Sequence, residues 1–254
     1  MKPWSREETI IAFNLYCKIP FNKSSKNHPL IIQYAKILGR TPSALNMKIG
    51  NIGRLDPDLA LQGITGLAHG AKLEQEVWDE FNANPNLLAF ESERLIAKLK
   101  GETIDHIANT TDEKFPQGEE RLSLVKQRVN QSFFRSTVLN SYEYTCCISG
   151  VSNPSLVEAC HIVDWANDIH NRTNPHNGLC LNPFLHKAYD KHLIAITPDF
   201  EVVVSDQLLD SVKSAHYINY LQLIQHSKIK LPNRFLPHKD FLAIHYENYL
   251  SFVY

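Results

Sequence analysis

The run GLCLNPFLHKAYDKH, residues 178–192, leaves its backbone little choice. Asparagine is a preferred helix N-cap, and proline, which has no N–H to donate, is tolerated in a helix only in its first turn. A short apolar run must therefore end at Asn182 and a helix begin at Pro183. Upstream, TCCISG and LVEACHIVDW are short β-branched runs separated by Asn153-Pro154, and this spacing predicts a hairpin between them. Downstream, LIAITPDFEVVVS predicts two more strands about the Pro198-Asp199 turn. The pattern is strand, loop and helix, too short in each part for a large sheet.

That frame carries an unusual set of side chains. His186 and Asp190 are four residues apart on the predicted helix, so they share one face at about 5–6 Å between Cβ atoms. A histidine and a carboxylate so placed can hold a divalent cation and leave positions open for water and substrate oxygens. His161 ends a predicted strand, where a neutral imidazole can take a proton from an attacking water. Asn177 falls in a loop, where its amide could pin the backbone or orient a histidine. Taken singly, an HxxxD pair or a histidine-rich loop is as readily a solvated surface. Asp164 and Asp168 are read as loop carboxylates, and His170, His176 and His192 as surface residues.

The N-terminal third reads differently. Ser5 and Glu8 form a capping-box pattern ahead of Ile10, Phe13, Leu15 and Tyr16, and Pro20 ends that helix. A second helix, PLIIQYAKIL, stops at Gly39, and a third opens at Thr41-Pro42. Helix, turn and short helix over residues 28–54 outline a helix-turn-helix. In that reading Arg40, Ser43, Asn46, Lys48 and Asn51 reach bases or phosphates; the rival is a structural three-helix domain with polar faces. Charge favours the first. Net charge is only −1, yet Thr9 to Leu55 contains no Asp or Glu and seven Lys or Arg, while acids gather from Glu74 onward.

The glycines of QGITGLAHG are too irregular for a phosphate-binding loop and serve to turn the chain. The polar stretch GETIDHIANTTDEKFPQGEE is a linker, which places a boundary near residue 115 and predicts domains of 1–114 and 115–254. The segment RLSLVKQRVNQSFFRSTVLNSYEY then predicts an amphipathic helix. Its Leu122, Val125, Val129, Phe133 and Val138 form the apolar stripe, and Arg128 and Arg135 are candidate phosphate contacts. Five cysteines without CxxC spacing read as reduced thiols. With 43% hydrophobic residues, no membrane-length apolar run and no secretory leader pattern at MKPWSREETIIAF, a soluble cytoplasmic protein is expected.

The ordered series FFRSTVLNSYEYTCCISG, LVEACHIVDW and NPHNGLCLNPFLHKAYDKHLIAI resembles the restriction-type branch of the HNH endonucleases over about residues 118–205. The resemblance implies an α+β chain: a helical, DNA-binding-like N-terminal domain, then a ββα-metal nuclease domain with flanking helices. It implies His161 as general base, Asn177 holding the loop and the base, and His186 and Asp190 on a divalent ion, Mg²⁺ first and Mn²⁺ as an alternative. Double-stranded DNA is the expected partner, with a homodimer for cleavage of both strands and no membrane. Rivals are a DNA-binding regulator with a structural nuclease-like domain, and a nicking or RNA-directed nuclease. One position departs from the family: Cys160 stands where many members carry an acidic or histidine ligand. The expectation there is that Cys160 packs in the hairpin, with Glu158 as the further candidate ligand. The stretches MKIGNIGRLDP and GITGLAHGAKLEQEVWDEF resemble, more loosely, a leader domain of restriction-associated HNH proteins.

Overall fold

A computed structural model describes residues 2–64, 70–107, 119–165, 168 and 170–253. The chain forms two compact units, Met1–Asn140 with His170–Asn174, and Ser141–Ile169 with Pro175–Tyr254. Most of the polar stretch expected as a linker, and the residue-115 boundary, lie outside the described residues.

The first unit is helical. Helix α1, Arg6–Lys18, starts at the Ser5–Glu8 capping box and buries every residue from Glu8 to Cys17. A helix covered on all sides is a hub, and α3 (Pro42–Gly53), α5 (Lys72–Asn82) and α6 (Pro85–Lys100) pack around it. Phe13 stacks on Trp78 with ring centres 5.0 Å apart. Helix α2, Pro29–Leu38, ends at Gly39 in the left-handed conformation (φ 61°), and Thr41 caps α3 through a hydrogen bond from Ala44 N–H. Ahead of the glycines of QGITGLAHG, Pro57–Leu61 forms a short helix, α4, capped by Asp56. Ile104–Ile107 is α7, and Glu119–Ser141 is the expected amphipathic helix, α8. Val125, Val129, Phe133 and Val138 are buried as its stripe predicts, but Leu122 is 61% exposed, at the end of the helix.

The second unit holds two small antiparallel sheets. Strand β1, Glu158–His161, pairs with β2, Gly178–Leu181, in the register Glu158↔Leu181 to His161↔Gly178. Residues 145–150 are not the partner of β1, contrary to the predicted hairpin. They fold into a tight loop in which Gly150 (φ 73°) turns the chain and its N–H donates to the Cys146 carbonyl. Cys147 N–H donates to the Cys180 carbonyl, so this loop lies against β2. Asn182 caps α9, Pro183–Asp190, by accepting from Leu185 N–H, as its sequence dictates. The second sheet, β3 (Ile194–Ile196) with β4 (Val202–Val204), follows at the predicted turn. Helices α10 (Asp206–Ser211), α11 (Ala215–Ile224) and α12 (Lys239–Val253) complete the unit. Mixed α and β content of this kind is the α+β class expected. No helix among the described residues is long and apolar enough to cross a membrane.

Candidate metal centre and cleft

Helix α9 lies against the β1–β2 hairpin, and the two together place the cluster. Side chains alternate along a strand, so Glu158 and Cys160 leave one face of β1 and Ala159 and His161 the other. His186 and Asp190 meet the Glu158/Cys160 face. His186 Nδ1 lies 2.7 Å from Glu158 Oε2, and its Nε2 lies 3.6 Å from Asp190 Oδ2. Cys160 Sγ is 3.9 Å from Asp190 Oδ1.

One ligand atom each from Cys160, His186 and Asp190 fall within 4.8 Å of one another. Bonds of about 2.0–2.3 Å to one tetrahedral ion would set such donors roughly 3.3–3.5 Å apart, so small side-chain adjustments suffice. A thiol, an imidazole and a carboxylate are also a chemically apt donor set for a divalent transition ion. The residues therefore fit Mn²⁺ or another transition ion, whereas Mg²⁺, which prefers oxygen donors, would be held by Asp190 and water without the thiol. Cys160 is buried in the hairpin as expected, yet its sulfur is also a potential third donor. Burial first, and then the Asp190 carboxylate, push its thiol pKa well above the ordinary value, so without an ion it stays protonated.

His161 lines a cleft of about 610 Å³ together with His186, Asp190, Asp164 and Lys187. Its ring meets Trp165 edge-on at 5.4 Å. Asn177, 1% exposed, secures the chain beyond it. Its Oδ1 accepts from Val163 N–H at 2.8 Å, its Nδ2 donates to the Val163 carbonyl at 3.0 Å, and its own carbonyl accepts from Ile162 N–H. An asparagine is suited to this because one amide carries both a donor and an acceptor. Of the two readings left open for Asn177, the backbone clamp is the one observed. His161, Asn177, His186 and Asp190, scattered over 30 positions, are thus brought to one hairpin and one helix.

The cleft wall also holds His192, expected at the surface, and His245, which the sequence did not mark. His192 ends α9 in the left-handed conformation (φ 52°), with Leu193 N–H donating to the Ala188 carbonyl, a helix stop that ordinarily takes glycine. It is half-buried rather than fully exposed, on the cleft wall against His245 at 4.8 Å between rings. His176 likewise is held, by the Leu236 carbonyl at 2.8 Å. His245, on α12, is 4% exposed, stacks on Tyr189 at 3.6 Å and contacts the Tyr189 carbonyl through Nε2. Burial lowers its pKa to about 4, with His192 adding to the shift and the Tyr189 carbonyl opposing it.

That depressed value fixes the sign of a stability effect. Below about pH 6.5 the unfolded chain protonates His245 while the folded chain does not until about pH 4. The stabilisation is complete above pH 6.5 and is lost as pH falls to 4, on the order of 3 kcal/mol in all. Urea unfolding at pH 7 and pH 4.5 is expected to show a smaller acid loss for His245→Gln than for the wild type. Equal losses would contradict the assignment.

The expected DNA-reading residues of the first unit are placed otherwise. Lys48 Nζ pairs with Glu74 Oε1 at 2.7 Å, the two side chains being 3% and 1% exposed, and Asn51 donates to the same oxygen at 3.2 Å. Arg40 pairs with Glu8 at 2.7 Å, donates to the carbonyls of Lys2 and Pro3, and covers the Trp4 ring. Buried acids distant in sequence neutralise Lys48 and Arg40, and Asn51 spends its amide N–H on the same Glu74 carboxylate, so these contacts are structural. Asn46 accepts from Ser24 at 2.9 Å, and Ser43 is exposed. On α8, Arg135 is exposed and Arg128 partly so.

Residues 146–197 match the family model of an HNH endonuclease. No curated protein matches the chain.

Proposed function

From a chain that carries an HNH endonuclease domain, we propose a metal-dependent, restriction-type DNA endonuclease acting at the α9 cleft. The observation that supports it most is the convergence of His161, His186 and Asp190 on that cleft, with Cys160 behind them. Cys160, His186 and Asp190 would hold the ion, which when bound supplies Lewis-acid stabilisation of charge developing on phosphate oxygens. His161 accepts the proton of a water as the water oxygen bonds to phosphorus. As the bond from phosphorus to the 3′ oxygen breaks, that oxygen keeps the electron pair and takes a proton from solvent, leaving a 5′ phosphate and a 3′ hydroxyl. Asn177 keeps the Ile162–Val163 backbone, and with it His161, in register through this step. One such centre cuts one strand, so cleavage of both requires two copies or two encounters.

Phosphate contact is assigned here to Lys187 and Lys191 on the cleft rim. Both are exposed and have no carboxylate within ion-pair distance among the described residues, unlike Arg40 and Lys48. Each phosphate neutralised contributes about 0.9 to the slope of log affinity against log salt. A Lys187→Gln/Lys191→Gln variant is therefore expected to bind duplex DNA more weakly and to lower that slope by roughly 2. An unchanged slope would remove both residues from the interface.

The function itself is tested by offering duplex DNA, unmodified and cytosine-modified, beside single-stranded DNA and RNA of the same sequence. The proposal expects hydrolysis of duplex DNA in preference to the other substrates. Preferred cleavage of RNA would replace it, and selective cleavage of modified duplex would identify modification as the restriction signal.

A further inference from the structure

We propose that Glu158 is a positioning residue whose carboxylate selects which nitrogen of His186 faces the ion. This deepens the reading of the site as a divalent-metal centre and rests on it. An imidazole offers one lone-pair nitrogen and one N–H in its neutral form, and the partner of one nitrogen decides the role of the other. Glu158 Oε2 lies 2.7 Å from Nδ1, a length for a charge-assisted hydrogen bond. Nδ1 therefore carries the proton and donates to Glu158. Nε2 is left with its lone pair on the side of Asp190, 3.6 Å away.

The alternative role for Glu158, direct ligation, does not suit this arrangement. The two nitrogens of one ring diverge, so an ion cannot take both, and the remaining donors, Asp190 and Cys160, are gathered beyond Nε2. The fold also builds the contact in. Glu158 pairs in register with Leu181, whose successor Asn182 caps α9, so the strand that carries the carboxylate fixes the origin of the helix that carries the imidazole. Glu158 and Cys160 share one face of β1, one addressing His186 and the other Asp190. Glu158 is 42% exposed at the side chain, so the core does not depend on it.

Two readouts test this. Titration calorimetry with Mn²⁺ alone compares wild type, Glu158→Ala, Glu158→Gln and Asp190→Ala. Loss of an outer partner of a ligating histidine ordinarily weakens metal binding by roughly 10–100-fold, and Glu158→Ala is expected to fall in that range. Glutamine can still accept from Nδ1–H, so Glu158→Gln is expected to recover most of the loss. The second readout is the tautomer of His186 in the metal-free protein, by ¹⁵N NMR: Nδ1–H in the wild type, a mixture in Glu158→Ala. Wild-type affinity in Glu158→Ala overturns the proposal, as does an Nε2–H tautomer in the wild type. A Glu158→Gln variant as impaired as Asp190→Ala would make Glu158 a ligand and equally overturn it. A wild type that binds no Mn²⁺ defeats the metal reading of the site, while the tautomer still decides the role of Glu158.

Discussion

A His161→Ala variant is expected to lose phosphodiester cleavage by roughly 10²–10⁴-fold while keeping its fold, its metal affinity and its binding to duplex DNA. The reason lies in where the residue stands. His161 ends β1 and lines the cleft, but it leaves the opposite strand face from Cys160, and His186 and Asp190 meet the Cys160 face. Removing its ring takes away a proton acceptor and leaves the donor set for the ion untouched. The hairpin keeps its register through β1–β2 pairing and the Asn177 clamp, neither of which uses the imidazole. Cleavage rates, calorimetric metal titration and duplex binding on one preparation check the three parts. A variant that cuts as fast as the wild type would mean that another group takes the proton. One that also loses metal would make His161 a ligand.

The second large effect is on stability, in the other unit. Lys48→Met is expected to cost about 3–5 kcal/mol, because it leaves the Glu74 carboxylate buried without its cation. Glu74 also accepts from Ala71 N–H, which holds the first turn of α5, and from Asn51 on α3, so an unpaired charge there strains three segments. Replacing both partners, Lys48→Met with Glu74→Leu, is expected to recover part of the loss, since two apolar groups have no charge to desolvate. A DNA-reading Lys48 would behave in the opposite way, with unfolding unchanged and duplex binding weakened. Chemical denaturation and a binding isotherm on the single variant separate the two.

Local signals carried much of the fold. Helices α1, α2, α3 and α9 announce themselves through caps: Ser5 with Glu8, Gly39, Thr41-Pro42 and Asn182-Pro183 act within a few residues of where they stand. What escaped was non-local. Lys48 and Arg40 lie in a stretch free of acids, and counting along the chain makes that stretch basic. In the fold Glu74 and Glu8, 26 and 32 positions away, neutralise them. The same limit applied at the site. His186 and Asp190 were legible because helical spacing pairs them. Glu158 could be named as a carboxylate near the strand, but its bond to His186 spans 28 positions and depends on the β1–β2 register. The TCCISG run has the composition of a strand, yet Gly150 and the Cys146 carbonyl turn it within five residues. His192 and His245 carry no pattern of their own; only the packing of α12 against β3 and the end of α9 puts them on the cleft wall.

The most direct test is a time course of supercoiled plasmid with the purified wild-type chain in Mg²⁺, Mn²⁺ or Zn²⁺, each repeated with excess EDTA. Conversion to nicked or linear DNA is expected with at least one of these ions, and none once the ion is chelated. Duplex binding without cleavage in every ion would contradict the nuclease reading, and would make the chain a DNA-binding protein that keeps the architecture of a nuclease without its chemistry.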